Sequence, residues 1–348
     1  MIELLADVGG TNARLALARG GVIDPASLTR YAGDDHAGFD AVLTRYLAEQ
    51  GLDGPGADGP GADGPEADGP GAAIGGLCVA VAGPVAGGRA RLTNRDWRFD
   101  AADLARRLGL DPGAGRVRLI NDLTALGHAL RGLHGAALLP VHAPAAGAAD
   151  AEGAPPGNGQ ALVLGLGTGA NACAVRDLGQ LGALCLEAEA GHAALPAPVM
   201  AALAAAVGAG RAAGFDCVEA LFSGRGLTRL HACLTGPPEG AAPLSGSRIV
   251  GAARGGDAAA LETVTLFARM LGLYARDLGL IFLPREGLYL AGSVARGVLT
   301  GGGGAAFRAA FAGGVGPFAA IVRAMPVRLI ADDMAALAGC LNALRAAV

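Results

Sequence analysis

Asp7-Val8-Gly9-Gly10-Thr11-Asn12-Ala13-Arg14 sets a carboxylate, two glycines and two short polar side chains between two apolar runs. A strand, a glycine turn and a return strand make a hairpin whose tip turns backbone N–H groups toward an anion. Such a tip can cradle phosphate through Gly9, Gly10, Thr11 and Asn12 without a lysine. Asp7, at the strand end, can hold Mg2+ through water, because Mg2+ keeps most of its waters and takes few carboxylates. An ordinary hairpin turn with a glycine pair reads the same way. Gly165-Leu166-Gly167-Thr168-Gly169 repeats the arrangement between the runs Ala161–Leu164 and Ala172–Val175, threonine included. A dinucleotide GxGxxG fingerprint would lead into a helix, and neither block does. Two such tips in one chain suggest duplicated domains that grip a phosphate chain.

Two further groups carry polar chemistry. Asn121-Asp122 stands where the run Val117–Ile120 passes into a helical pattern, and either residue there serves equally as a helix N-cap. Glu189-Ala190-Gly191-His192 is followed by Glu219-Ala220-Leu221-Phe222-Ser223-Gly224. Carboxylates and an imidazole on short glycine-bearing turns can receive sugar hydroxyls, although exposed Glu and His on loops commonly bind nothing. A metal reading of His192 with the two glutamates lacks an HExxH or a second nearby histidine.

The elements that must position these groups alternate along the chain as in a mixed α/β protein. Strands are expected over Ile2–Ala6, Leu15–Ala18, Leu77–Ala82, Val117–Ile120, Ala161–Leu164, Ala172–Val175, Leu288–Ala291 and Val327–Ile330. Helices are expected over Phe39–Gln50, Ala101–Leu108, Leu123–Leu130, Ala197–Val207, Gly226–Leu234, Asp257–Leu278 and Asp333–Ala346. Several of the strands end in a Gly or Asp cluster, where ligands bind in open α/β sheets. Residues 53 to 72 repeat a Pro-Gly-Asp pentad with almost nothing to bury, which reads as a disordered surface insertion. Ala143–Gly159 reads as a second loop.

With 348 residues the chain is long enough for about two domains. Glycine supplies 59 of them, well above the average of about 7%. A net charge of -4 offers no basic field for nucleic acid or an anionic membrane, so neither is an expected partner. Every one of the 27 basic residues is arginine, which excludes Walker A and protein-kinase chemistry, both of which need a lysine. The six cysteines show no CxxC pairing and suit buried thiols in a reducing compartment. Met1–Asp7 has no basic start and reaches an acid at once, unlike a signal peptide. The uncharged stretch Gly153–Val175 is broken by Pro and Gly and makes a poor membrane span. A cytoplasmic protein is expected.

Taken together, the motifs resemble the bacterial glucokinase family of the actin-like superfamily. LADVGGTNARLAL is similar to its first phosphate motif, and AVAGPV with Leu92–Phe99 to its AxxGPx…TNxxWxF block. Ile120–Ala125 is similar to INDFTA, and Gly165–Gly169 to the second phosphate motif. Glu189–His192 is similar to EGGH, Glu219 with Phe222–Leu227 to ExxLSGxGL, and Ala291–Ala295 to the adenosine-side AGGIV. The blocks keep family order over nearly the whole chain.

The resemblance implies two RNase H-like α/β domains with an interdomain cleft, the small one from residues 1–132 plus 333–348 and the large one from 133–332. It implies ATP-dependent phosphorylation of glucose at the 6-hydroxyl, with Asp122 as general base and Asn94, Asn121, Glu189, His192 and Glu219 binding the sugar. Asp7, Gly9, Gly10, Thr11, Asn12, Gly167, Thr168, Gly169, Gly292 and Ser293 would face ATP, with Mg2+ on Asp7 through water. A homodimer is also implied. Phosphorylation of mannose or N-acetylglucosamine, ADP or polyphosphate as donor, and a non-catalytic sugar sensor are the alternatives. A DNA-binding repressor would need a helix-turn-helix before the first phosphate motif, where Asp7 leaves no room, and the family's zinc cluster CxCGxxGC is absent.

Several positions depart from the family pattern. Ala170-Asn171 stands where Leu-Gly is usual, which opens the turn beyond Gly169 to another path. Ala190 replaces the first glycine of EGGH, adding a methyl at a position that can demand an unfavourable φ. Ser293 replaces the second glycine of AGGIV, and Arg296-Gly297 stands for Pro-Arg. Leu123 and Phe222 are apolar exchanges.

Overall fold

The computed structural model describes residues 1–52, 74–144, 157–236 and 242–346. The repeat at 53–72 and most of the expected loop from Ala143 to Gly159 lie outside the described residues. The chain divides into two compact units, one of Met1–Leu133, Gly179–Ala183 and Asp333–Val348, the other of His134–Leu178 and Leu184–Asp332.

In the first unit, β1 (Ile2–Val8) and β2 (Asn12–Arg19) form an antiparallel hairpin with Asp7 opposite Arg14. The short β3 (Val22–Ile23) and β4 (Thr29–Ala32) both pair with β2, and β5 (Ile74–Val81) lies parallel to β1. A three-strand sheet follows, made of β6 (Val85–Ala86), β7 (Arg89–Arg91) and β8 (Arg98–Asp100). β9 (Val117–Asn121) pairs parallel to β5, giving the main sheet the order β3-β2-β1-β5-β9. β1 is apolar at nearly every position because both sheet faces are covered. Leu4, Ala6 and Val8 pack toward helix α1 (Phe39–Glu49), which contributes Phe39, Val42, Leu43 and Tyr46. Leu5 points the other way, to Ala125 of α3 (Asp122–Ala129) and to Leu337, Cys340 and Leu341 of the C-terminal helix Ala335–Arg345. Between these, α2 (Ala101–Arg107) starts at Asp100, whose carboxylate accepts from the Ala102 and Asp103 amides.

The second unit repeats this plan. β10 (Leu138–His142) precedes a hairpin of β11 (Gln160–Leu166) and β12 (Ala170–Asp177), followed by β13 (Ala183–Glu187), β14 (Gly287–Ala291) and β15 (Val327–Ile330). The sheet order β10-β15-β14-β11-β12-β13 contains the path of the first sheet with one strand added. β11 is antiparallel to β12 and parallel to β14, as β1 is antiparallel to β2 and parallel to β5.

Its helices are α4 (Ala197–Val207), α5 (Ala209–Ala212), α6 (Val218–Leu221), α7 (Gly224–Thr235), α8 (Gly246–Arg254), α9 (Ala258–Phe282), α10 (Ser293–Val298), α11 (Gly304–Ala312) and α12 (Ala319–Arg323). Among the described residues α9 alone has the length and apolarity to cross a membrane. Val264, Phe267, Leu271 and Tyr274 bury that apolarity in the unit's own core, with Phe222 stacked on Tyr274 and edge-on to Phe267.

Every strand and helix expected from the sequence is present, with ends moved by a few residues. All six thiols are free, with Cys78, Cys173 and Cys340 buried. Folding brings Cys78 beside Cys340 and Cys173 beside Cys185, pairings that their sequence spacing did not show.

Candidate active site

The first group of site residues gathers at the ends of β1, β5 and β9. The β1–β2 turn closes with the Gly9 amide donating to the Asn12 carbonyl at 2.9 Å, and the Gly33 amide donates to the Thr11 carbonyl at 2.8 Å. Arg95 donates from Nε to the Gly10 carbonyl at 2.9 Å, while its guanidinium also pairs with Asp34 and lies over the Trp97 ring. Arg30 donates to the Asn12 side-chain oxygen at 3.0 Å. The two arginines brace the turn from outside and leave Thr11 exposed. Asn94 sits directly over Gly10, where an added Cβ would come within 3.3 Å of the Asn94 Cβ. The TNRDW block is thereby joined to the first phosphate motif.

Asp7 is half-buried at the end of β1, with Arg14 at 3.8 Å. Burial raises its carboxyl above the usual range, and Arg14 partly opposes that rise. Among the described residues no three His, Cys, Asp or Glu side chains cluster as a metal site. A single partly desolvated carboxylate still suits a hydrated Mg2+ whose remaining ligands are water and phosphate.

Asn121 is the N-cap of α3, accepting from the Leu123 amide at 2.9 Å and donating to the Gly83 carbonyl at 3.1 Å. The helix-cap reading of this dipeptide is therefore correct for Asn121, and one amide hydrogen remains for a ligand. Asp122 is the first helical residue rather than the cap. Its Oδ1 accepts from the Leu123 amide at 2.9 Å, at a helix end that favours negative charge.

The second group gathers around the β11–β12 turn. The Gly167 amide donates to the Gly169 carbonyl at 2.8 Å, and the Gly224 amide donates to the Gly167 carbonyl at 3.0 Å. This ties the start of α7, capped by Ser223, to the turn that presents Thr168. Glu219 of α6 lies beneath the same turn. Its Oε2 accepts from the Ala170 amide at 3.2 Å, and its Oε1 pairs with Arg225 at 3.0 Å. A side chain at 169 would meet Glu219 Oε2 at 2.5 Å, so the motif glycine leaves that carboxylate its place. Glu219 thus braces the phosphate turn while keeping lone pairs for a hydroxyl.

Glu189 precedes the 3-10 turn Ala190–His192, which leaves His192 exposed. Beyond Gly169, β11 and β12 pair in register with Leu166 opposite Ala170 and Gly165 opposite Asn171. One expectation is corrected here. Ala190 is not strained, because Leu283 is the one described non-glycine residue at positive φ. The glycine that the turn requires is Gly191, where an added Cβ would lie 2.0 Å from the Ala170 carbonyl oxygen.

Gly292 ends β14 at φ 92, where an added Cβ would lie 2.2 Å from the Leu166 carbonyl oxygen. Ser293 opens α10 immediately after it. Arg296 turns away to donate to the Ala331 carbonyl at 3.0 Å, which gives it a bracing role at the sheet end. The residues that motif spacing missed are Arg30 and Arg95 in the first group and Asn171 and Arg225 in the second. Arg95 and Arg225 lie inside quoted motifs, and Asn171 is visible in the sequence as a departure.

A sequence model described as Glucokinase matches residues 4–347. A glucokinase of Caulobacter vibrioides strain NA1000 / CB15N is 32% identical over 358 residues, covering 99% of this chain and 95% of that protein. Among solved structures, a glucokinase from an Antarctic psychrotroph superposes with a TM-score of 0.74 at 24% identity, covering 99% of this chain and 98% of that one. A ROK family glucokinase from Streptomyces griseus, solved with glucose and AMPPNP, superposes with a TM-score of 0.61 at 20% identity over 99% of both chains. The structural likenesses carry the fold, an α/β architecture of two RNase H-like units of the actin-like ATPase type. With that fold, the ordered motifs and a match spanning residues 4–347, the chain belongs to the glucokinase family.

Proposed function

We propose that the protein transfers the γ-phosphoryl group of ATP to the 6-hydroxyl of glucose, yielding glucose 6-phosphate. The observation that carries this is the family match over residues 4–347, with Asp7, Asp122, Glu189, His192 and Glu219 all present at their motif positions. Asp122 is the general base. A hydroxyl is a poor nucleophile at neutral pH, and a carboxylate within hydrogen-bond reach accepts its proton as the oxygen attacks phosphorus. Phosphoryl transfer has a loose transition state, so positioning and electrostatics carry most of the catalysis and an ordinary carboxylate suffices.

Asn94, Asn121, Glu189, His192 and Glu219 hold the sugar hydroxyls. A carboxylate that accepts two hydroxyls rejects a sugar lacking one, because its buried charge then loses a partner. The backbone of Gly9–Asn12 and Gly167–Gly169 receives the phosphates, and Gly292 with Ser293 faces the adenosine. Mg2+, held by the phosphates and through water by Asp7, would neutralise charge on the transferring group. The chain works as two domains, a small one of residues 1–132 plus 333–348 and a large one of residues 133–332. The enzyme works in the cytoplasm as a homodimer.

The test is a coupled assay for glucose 6-phosphate with MgATP, run on the wild type and Asp122→Ala. Turnover of glucose in preference to mannose, fructose and N-acetylglucosamine is expected, with a loss of at least about 10²-fold in the variant. Calorimetric glucose binding without product from any donor would show a sugar sensor instead.

A further inference from the structure

Two of the positions that depart from the family motifs meet at one hydrogen bond. The Asn171 side-chain oxygen accepts from the Ala172 amide at 2.8 Å and from the Ala190 amide at 2.9 Å. Two N–H donors on that atom settle the orientation of the side-chain amide. The nitrogen is therefore the atom 3.3 Å from Glu189 Oε2, where it donates to the carboxylate. No side chain caps the 190–192 turn from within, so Asn171 supplies from β12 the acceptor that its first amide requires. Beside this bond Gly191 lies closely against the Ala170 carbonyl. Consecutive residues of β12 thus fix consecutive residues of the turn, and one of them reaches on to the glutamate.

We propose that Asn171 is a positioning residue for sugar recognition, orienting the Glu189 carboxylate and the turn that carries His192 before glucose arrives. The proposal rests on the reading of Glu189 as a sugar ligand. A glycine at 171 has no group to do this and leaves Glu189 to be ordered by the sugar at the expense of affinity. Asn171 itself needs no contact with substrate.

Asn171→Asp is the informative variant. It keeps an oxygen for the Ala172 and Ala190 amides and sets a second oxygen against Glu189. The expected result is a wild-type melting temperature and a glucose KM raised about tenfold or more, the value of a charge-assisted hydrogen bond. The KM for ATP stays unchanged. The glucose KM should fall back as the pH is lowered and the facing carboxylates share a proton. Asn171→Gly should raise the glucose KM by a smaller, pH-independent factor, and it decides the matter if Asn171→Asp does not fold.

Glu189→Gln is measured alongside. If it leaves the glucose KM unchanged, Glu189 is not a sugar ligand and the premise fails. If it raises the KM while Asn171→Asp and Asn171→Gly stay within about twofold of wild type at every pH, Glu189 binds sugar without help from Asn171. The positioning role is then overturned.

Discussion

The Glu189–His192 turn shows how unequal two adjacent glycine positions can be. At 190 the chain already carries a methyl, and the backbone there needs no positive φ. At 191 the same methyl would press to 2.0 Å of a β12 carbonyl oxygen, and only backbone movement can relieve that contact. Gly191→Ala is therefore expected to cost about 1–3 kcal/mol, the range for overpacking, and to raise the glucose KM by displacing Glu189 and His192. Ala190→Gly is expected to stay within about 1 kcal/mol of wild type. Thermal melts with glucose titrations check both, and a Gly191→Ala protein as stable and as tight-binding as wild type would refute the close approach. The candidate residues of this site were legible because Glu and His on glycine turns stand out against a hydrophobic chain, while their sugar-binding role came from the family resemblance. What could not be read was which residues hold them. The bond from Asn171 to Ala190 joins positions on two elements, and no local pattern announces it.

At the level of elements, helix α3 couples the proposed base to the interior of the first unit. Asp122 opens the helix, while His128, near its end, is half-buried and gives its carbonyl to Asn342 of the C-terminal helix. Burial lowers the His128 pKa, and the nearby Arg118 lowers it further. The unfolded chain takes up that proton near pH 6.5, whereas the folded chain resists until a lower pH. Stability contributed by neutral His128 is therefore complete above about pH 6.5 and is lost as the pH falls below it, by at most about 1.4 kcal/mol per pH unit for one proton. Melting temperatures at pH 7.5 and 5.5 should show a smaller drop for His128→Gln than for wild type, and equal drops would assign the loss to other groups.

Long periodic elements such as α1, α9 and the eight-residue β12 were legible because their apolar spacing is dictated by the core they cover. The small β6–β7–β8 sheet was not, since its strands are two or three residues long and Arg89, Arg91 and Arg98 face water. Helices α8 and α11 were hidden for another reason. Each begins with glycine in a stretch rich in glycine and small residues that masks its periodicity, and each packs on α9.

Over the whole molecule, the main sheet of the first unit and that of the second follow the same strand path, so the duplication inferred from two glycine turns extends through five strands of each. Of the proposed sugar ligands, Asn94 and Asn121, with the base Asp122, belong to one unit and Glu189, His192 and Glu219 to the other. Glucose at about 100 times its dissociation constant should stabilise the protein by about 2.7 kcal/mol. Asn94→Ala and His192→Ala, one from each unit, should each diminish that gain in a thermal melt. A gain diminished by only one of them would place the sugar on that unit alone.

The C-terminal helix adds a consequence for the order in which the protein is made. Leu337, Cys340, Leu341 and Ala343 cover the face of the first sheet formed by Leu5, Ala16, Ala18, Cys78 and Ala80. Those strand residues leave the ribosome early, but their cover is translated after the whole second unit, roughly 10–40 s later at ribosomal speeds. During that interval α3 alone can cover this face of the nascent amino-terminal sheet, through Ala125. The first unit can therefore complete this core only after the second unit has been synthesised.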